Sequence, residues 1–454
     1  MRRFAVRSLF TSVVRGAGAT GASLAVGAIA LTLVGCTGAT RAGGPKIDAT
    51  PMAPVDESLD AGPVLGARTA TGAKIWVRLD PARLDAEKPT VLRLELLGAS
   101  EGSARTFDAE ASIDGDGTAV FRLEGLKPGQ SHRYRIARVE NADATLAEGS
   151  FATPPARMTR ARIAFGGGAG AEADAATDAT LRAVEREHPD AFILVVDTPS
   201  AAAASLAAQR AHYRARSKSA AFAELAAEIP LYAIRCSAYP AKQAADAGLA
   251  EKSNSRRAFC EYHPNPGFGD GVDGIHTSFT LGSAEIFLLD GRALESADTS
   301  GAGDMQWRWL EESLSRSTAL FKVVAIGSAW RDQDAARRGL QRLAEAVGRA
   351  RASGVVLLST DAARSRVVRH ATADAAGYNL LEFVAGPLHG ASASSAVEVV
   401  PGVLFDQSAT QTFLILDIEE ARADGPELRA VFVDAQGSVI HTHETDLSAL
   451  APAR

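Results

Sequence analysis

The sequence predicts a layered α/β domain preceded by a small all-β sandwich, and three observations carry that prediction. Before Pro155, short stretches alternate apolar and polar residues, as strands with one face in a core do. After Pro155, fully apolar runs alternate with stretches of helical spacing, as buried strands covered by helices require. A chain of 454 residues that is 46% hydrophobic and 22% charged also has enough apolar side chain to fill more than one core.

The N-terminus has a different character. Arg2, Arg3, Arg7 and Arg15 form a positive segment, and residues 16–35 are dominated by small and apolar side chains without a charge. This is the pattern of a secretory signal. It ends in Leu33-Val34-Gly35-Cys36, which resembles a bacterial lipobox. That resemblance implies a signal over residues 1–36, a lipid on Cys36, and a chain anchored to the cell envelope, in the outer membrane facing the periplasm. The glycines within the apolar stretch argue against an uncleaved membrane span. Arg2-Arg3-Phe4 leaves twin-arginine export open beside the general route. Residues 37–61, rich in Gly, Ala, Pro, Asp and Thr, read as a flexible tether. The net charge is -6 with no basic stripe, which excludes nucleic acid as the partner. With Cys36 lipidated, Cys236 and Cys260 remain, a pair that an oxidising compartment could join.

The sandwich is expected over residues 62–155. Its strands include Lys74–Leu79, Val91–Leu96 and Ala119–Leu123, with a turn at Asp114-Gly115-Asp116-Gly117. Leu126-Lys127-Pro128-Gly129-Gln130-Ser131-His132-Arg133-Tyr134 resembles the strand entry of fibronectin type III/Ig-like domains, with His132 where a Tyr usually stands. The α/β part is expected over residues 160–447. Buried strands are read at Ile163–Phe165, Ala191–Val196, Leu231–Ile234, Ile286–Leu289, Val323–Ile326 and Val355–Leu358. Helices are read at Ala175–Glu187, Ala202–Ala227, Met305–Ser315 and Ala335–Ala352, and antiparallel strands at Thr412–Ile418, Glu427–Asp434 and Ser438–Thr445.

Several stretches match a known family in order as well as in residues. They are His188-Pro189-Asp190-Ala191-Phe192, Tyr213-Arg214, Ile229-Pro230 and Ser255-Arg256-Arg257-Ala258-Phe259, then Leu288-Leu289-Asp290-Gly291-Arg292, Gln306-Trp307-Arg308-Trp309-Leu310 and Ser317-Thr318-Ala319. Taken together, these make the chain similar to the alkaline phosphatase D-like metallophosphoesterases from about residue 62 to 447. The resemblance implies a calcineurin-like αββα sandwich. It also implies two di- or trivalent metal ions at the C-terminal strand ends, where they polarise a phosphoryl group and activate a bound water.

Position by position, most of the family's ligands are absent. Gly166-Gly167-Gly168 stands where the family has Gly-Ser-Cys, and Val196-Asp197-Thr198-Pro199-Ser200 keeps only the bridging Asp. The family's Asp-Asp-His falls on Cys236-Ser237-Ala238, the following Asn near Gln243, and Gly-Asp-x-His becomes Thr360-Asp361-Ala362-Ala363. Asp197 and Asp361 therefore remain as metal ligands, with His389 as a third candidate. Such a set leaves room for no ion or for a single weakly held one. Arg235 takes the place of a Trp just before the lost ligands. It either points to solvent or turns inward to pair with a carboxylate or a bound anion. Cys236 is either a soft ligand or core packing.

Three other features of the sequence offer alternative sites. Gly166-Gly167-Gly168-Ala169-Gly170 after a strand could be a phosphate-cradling turn, but Asp197 lies too far beyond it for a dinucleotide site. Glu261-Tyr262-His263-Pro264-Asn265, with Asp270, Asp273 and His276, gathers donors that a solvated surface loop explains. His441 and His443 share one face of an exposed final strand. Two functions remain open: a catalytically silent phosphoesterase homologue that binds or assembles at the envelope, and an active phosphoric ester hydrolase with an altered metal site.

Overall fold

The computed structural model describes residues 59–97, 105–169, 174–197, 205–236, 249–271, 274–291, 302–330, 334–389, 401–408 and 411–452. The expected signal, Cys36, most of the tether, and Ser200, Ser237, Ala238, Gln243 and Asp273 lie outside the described residues. Within them, no helix is long and apolar enough to cross a membrane.

The N-terminal strands are β1 (Leu59–Thr69), β2 (Gly72–Leu79), β3 (Thr90–Leu97), β4 (Arg105–Ala111), β5 (Thr118–Leu123), β6 (Ser131–Arg138) and β7 (Asn141–Ala152). The strands that follow are β8 (Arg160–Ala169), β9 (Ala191–Val196), β10 (Leu231–Arg235), β11 (Thr277–Leu281), β12 (Ala284–Leu288), β13 (Phe321–Ala325) and β14 (Val355–Thr360). The last are β15 (Arg364–Arg369), β16 (Leu381–Ala385), β17 (Val403–Ser408), β18 (Thr412–Glu419), β19 (Glu427–Asp434) and β20 (Val439–Asp446). The helices are α1 (Ala175–Arg186), α2 (Leu206–Arg216), α3 (Ala220–Glu228), α4 (Leu249–Tyr262), α5 (Ala302–Arg316), α6 (Asp334–Ala350) and the short α7 (Ala373–Ala376).

Among the described residues the strands form three sheets. A nine-stranded sheet runs β20-β19-β18-β8-β9-β10-β1-β2-β5, a seven-stranded sheet β11-β12-β13-β14-β16-β15-β17, and a four-stranded sheet β4-β3-β6-β7. Period-2 alternation sorts the side chains of the first sheet. Ile163, Phe165, Ile193, Val195, Leu414 and Leu416 join one core with strands β12 to β16 and helices α5 and α6. Ala164, Phe192, Leu194, Phe413 and Ile415 face the other way, against α1 to α4. The protein is thus a mixed α/β fold in which two sheets pack face to face and helices cover the outer faces.

The expected boundary at Pro155 needs correcting. β1, β2 and β5 belong to the nine-stranded sheet, because β1 pairs in parallel with β10 at Gly66 and Leu231. The four-stranded sheet packs over that extension, with Leu92, Leu94 and Ile136 meeting Ile75, Val77 and Phe121 in one core. One sheet therefore spans both parts, where separate layers were expected, and β1 starts at Leu59, inside the presumed tether. The helix expected over Ala202–Ala227 is broken into α2 and α3. Ser219 stops the first and caps the second, its hydroxyl accepting from the Phe222 amide at 3.0 Å.

The segment after Tyr262 is not a solvated loop either. His263 and Asn265 are buried, and the Asn265 amide bonds both the N–H (2.9 Å) and the C=O (2.8 Å) of Ala233 on β10. A side-chain amide can replace a missing strand in this way, so a Gly- and Pro-rich stretch becomes part of the core. On β20, at the sheet edge, His441 stacks flat on Phe405 with centroids 4.0 Å apart and His443 lies 5.8 Å from Phe383, so both are half-buried.

Candidate functional site

The C-terminal ends of the parallel strands in both sheets meet around Gly167. A β-carbon there would lie 2.7 Å from the Thr360 methyl and 2.9 Å from Val195, so the approach of β8, β9 and β14 requires glycine. The Gly167 carbonyl accepts from the Leu388 amide at 2.8 Å, and Gly167 bridges in parallel to Pro387. The glycines belong to β8 itself, with a register shift between Gly167 and Ala169. They are strand rather than the phosphate-cradling turn that the sequence left open.

Gly168 has φ +70, and a β-carbon on it would lie 3.0 Å from both Cε1 and Nδ1 of His389. The imidazole therefore fills the space where a side chain after the first strand would begin. His389 Nδ1 is buried with no hydrogen-bond partner among the described residues. It lies within electrostatic reach of Asp197 and Asp174, and Asp174 caps α1 by accepting from the Thr177 amide (2.7 Å) and hydroxyl (2.9 Å).

Asp197 follows β9. Burial raises its carboxyl above the usual range, and His389 and Arg216 pull the other way. Its backbone carbonyl accepts from His212 Nε2 at 2.9 Å. Arg216 is buried, lies 5.6 Å from the rings of both Tyr213 and Phe222, and reaches His263 Nε2 at 3.4 Å. Burial pushes His263 down to about 3, with Arg216 adding to it, so the ring is neutral. Its Nδ1 donates to the Phe259 carbonyl (2.8 Å) and its Nε2 accepts from Arg216.

Asp361 follows β14 and is engaged by its own surroundings. Its Oδ1 accepts from the Ala363 amide at 2.7 Å, and its Oδ2 lies 3.3 Å from Arg366 Nη1. Arg366 also approaches Asp406 (3.6 Å), which pairs with Arg364 (2.6 Å). Asp197 and Asp361 thus sit at the ends of strands in two different sheets and belong to separate networks, the first facing His389 and Arg216, the second held by Arg366.

Arg235 turns inward. It is 5% exposed, forms an ion pair with Asp290 (2% exposed), and donates to the Ser255 hydroxyl at 3.2 Å beneath the Phe259 ring. It compensates neither Asp197 nor Asp361, because Asp290 at the end of β12 takes it. Gln306 fixes Asp290 by accepting from its amide (2.8 Å) and donating to its carbonyl (3.0 Å). Cys236 packs against the large core and its thiol reaches the Gly327 carbonyl at 3.4 Å. Burial raises the Cys260 thiol to about 11, and no disulfide joins the two cysteines.

Reading the sequence missed Arg366, Arg216 and the Asp290 partner of Arg235. One signal was available: Arg364 and Arg366 share a strand face immediately after Asp361.

A two-metal clamp needs several convergent oxygen or nitrogen donors. Among the described residues, no three His, Cys, Asp or Glu side chains are grouped to hold an ion. With Asp361 paired to Arg366 and the Gly168 position filled by the His389 ring, the described residues do not fit the implied pair of metals.

Comparison with known proteins gives two findings. Residues 236–415 match the family model described as PhoD-like phosphatase. A solved structure described as "Structure of PhoD" aligns with a TM-score of 0.63 at 15% identity, covering 87% of this chain and 90% of that one. A cyclomaltodextrinase structure aligns at a TM-score of 0.18 and 9% identity over 67% of this chain and 60% of that one, which carries no argument. No curated protein matches the sequence.

Proposed function

We propose that this chain is a member of the PhoD-like phosphatase family, a reading supported by the family-model match over residues 236–415 and by the likeness of fold, and that it is a catalytically silent one. In this reading it is a binding or assembly module, a calcineurin-like αββα sandwich with a fibronectin type III-like N-terminal part, held at the cell envelope by a lipid on Cys36. The single observation that carries the reading is the Arg366–Asp361 ion pair. A guanidinium occupies a carboxylate that a metal would need, and for an ion to bind there Arg366 would have to give up this pairing and keep only its longer approach to Asp406. Hydrolysis of an aryl phosphate monoester and diester by the full chain, with Mn²⁺, Fe³⁺, Ca²⁺ or Zn²⁺ added, tests it. The expected result is no turnover above the metal-only background. Metal-dependent turnover lost in Asp197→Asn would overturn it.

A second reading rests on Asp197 and His389, which remain within electrostatic reach of each other. It is a phosphoric ester hydrolase with a single-metal site. The same assay separates the two. Envelope attachment is tested by Cys36→Ser, which is expected to release the chain from the membrane fraction or leave the signal uncleaved; unchanged fractionation and mass would refute the anchor.

A further inference from the structure

A cavity of about 540 Å³ lies at the far end of β10 from Cys236. Its walls come from the end of β1, the Pro154-Pro155 connection, Tyr232 at the start of β10, β11 with the turn after it, and Glu420 beyond β18. These are the starting ends of the parallel strands, so the cavity shares no residue with the strand ends that carry Asp197 and Asp361. The volume suits a small molecule.

Charge and shape narrow the ligand. Arg68 lines the cavity and donates to the carbonyls of Ala152 (3.2 Å) and Asp190 (2.7 Å). A guanidinium carries five N–H groups, so most of its donors have no protein acceptor, and it forms no ion pair among the described residues. The other lining arginine, Arg157, is matched by Glu420 at 3.0 Å, which leaves Arg68 as the lining cation without a direct ion pair, the Asp190 carboxylate acting on it only at longer range. Beside it, Tyr232 and Phe279 stack with centroids 3.7 Å apart and planes 10° from parallel. The Tyr232 hydroxyl is already donated to the Arg68 carbonyl at 3.3 Å. This wall therefore offers ring surface, and Pro155 and Met158 continue it as apolar surface.

We propose that this cavity is a binding site for a small aromatic carboxylate, its carboxylate paired to the Arg68 guanidinium and its ring laid against the Phe279 wall. The site is independent of the proposed silence of the strand ends.

The test is calorimetric titration of the full chain with three probes: cinnamate, its neutral amide, and octanoate. Cinnamate is expected to bind, with the amide and octanoate each at least about tenfold weaker. Arg68→Gln should weaken cinnamate by about tenfold or more. Because Arg68 also holds two carbonyls, Ser278→Trp serves as the second variant: it fills the cavity from an edge strand without touching Arg68, and should abolish cinnamate binding while leaving the melting temperature intact. Failure of cinnamate to bind, equal binding of the amide, or binding unchanged by Ser278→Trp would overturn the proposal. Octanoate binding as tightly as cinnamate would overturn the aromatic class.

Discussion

Asp197 behaves differently in a silent site and in a working metal site, and that difference is measurable at one residue. Burial raises its carboxyl in the folded protein, so the folded state binds its proton more tightly than the unfolded chain does. Stability is therefore lost as pH rises through the unfolded value, and the loss is complete above the folded one. Asp197→Asn should accordingly raise the melting temperature at neutral pH and change it little in acid, as thermal unfolding across pH would read. A destabilised Asn variant at neutral pH would mean that the carboxylate has a partner. Arg366 makes the opposite case. It is 9% exposed, faces Asp361 and Asp406, and its replacement by Met should cost about 3–5 kcal/mol in denaturant unfolding by leaving the Asp361 carboxylate without its cation, while Asp406 keeps Arg364. Adding Asp361→Asn should return part of that loss. Gly168 holds φ +70 against the His389 ring, and Gly168→Ser should cost about 1–2 kcal/mol, which His389→Ala would relieve only in part because the backbone term stays.

The strands were legible in the sequence wherever burial wrote a pattern. The apolar runs at β9, β10, β13 and β14 appear where expected because both faces of each strand are covered. What the pattern could not express is which strand neighbours which. β2 and β3 both alternate, yet one joins the nine-stranded sheet and the other the four-stranded sheet, since alternation records one buried face and not the partner that buries it. Burial of His263 and Asn265 was equally silent, because polar residues in a Gly-Pro stretch read as solvated until a particular backbone is brought to them. Between neighbouring strands, Asp417 on β18 ties β8 to β19. It accepts from Arg162 at 2.6 and 2.9 Å and from Arg429 at 2.9 Å. Burial works to raise this carboxyl, but the two arginines outweigh it and hold it below the usual range. Its contribution is then fully present above the ordinary carboxylate value and lost as pH falls through the folded one. Asp417→Asn should cost about 2–3 kcal/mol at neutral pH, and the difference from the parent chain should shrink in acid. A constant difference across pH would contradict that origin.

At the scale of the whole molecule, two sheets pack face to face, and among the described residues no group of donors at their strand ends could hold a metal ion. The candidate site was legible in the sequence as a set of losses, because Gly168, Cys236, Ser237 and Ala238 have no carboxylate or imidazole to offer wherever they lie. The replacements were not legible. Arg235 pairs with Asp290 across two sheets and His389 fills the Gly168 gap, and both depend on packing between segments distant in the chain, whereas the Arg366–Asp361 pair is local and only its geometry was hidden. On the proposed function, these strand ends hold no pair of metal ions. Elemental analysis of the full chain by mass spectrometry, after exposure to Mn²⁺, Fe³⁺, Ca²⁺ and Zn²⁺ and removal of unbound ion, tests this most directly. Less than one ion per chain is expected for every metal, with no difference between the parent and Asp197→Asn. Two ions per chain, both lost in Asp197→Asn, would contradict it.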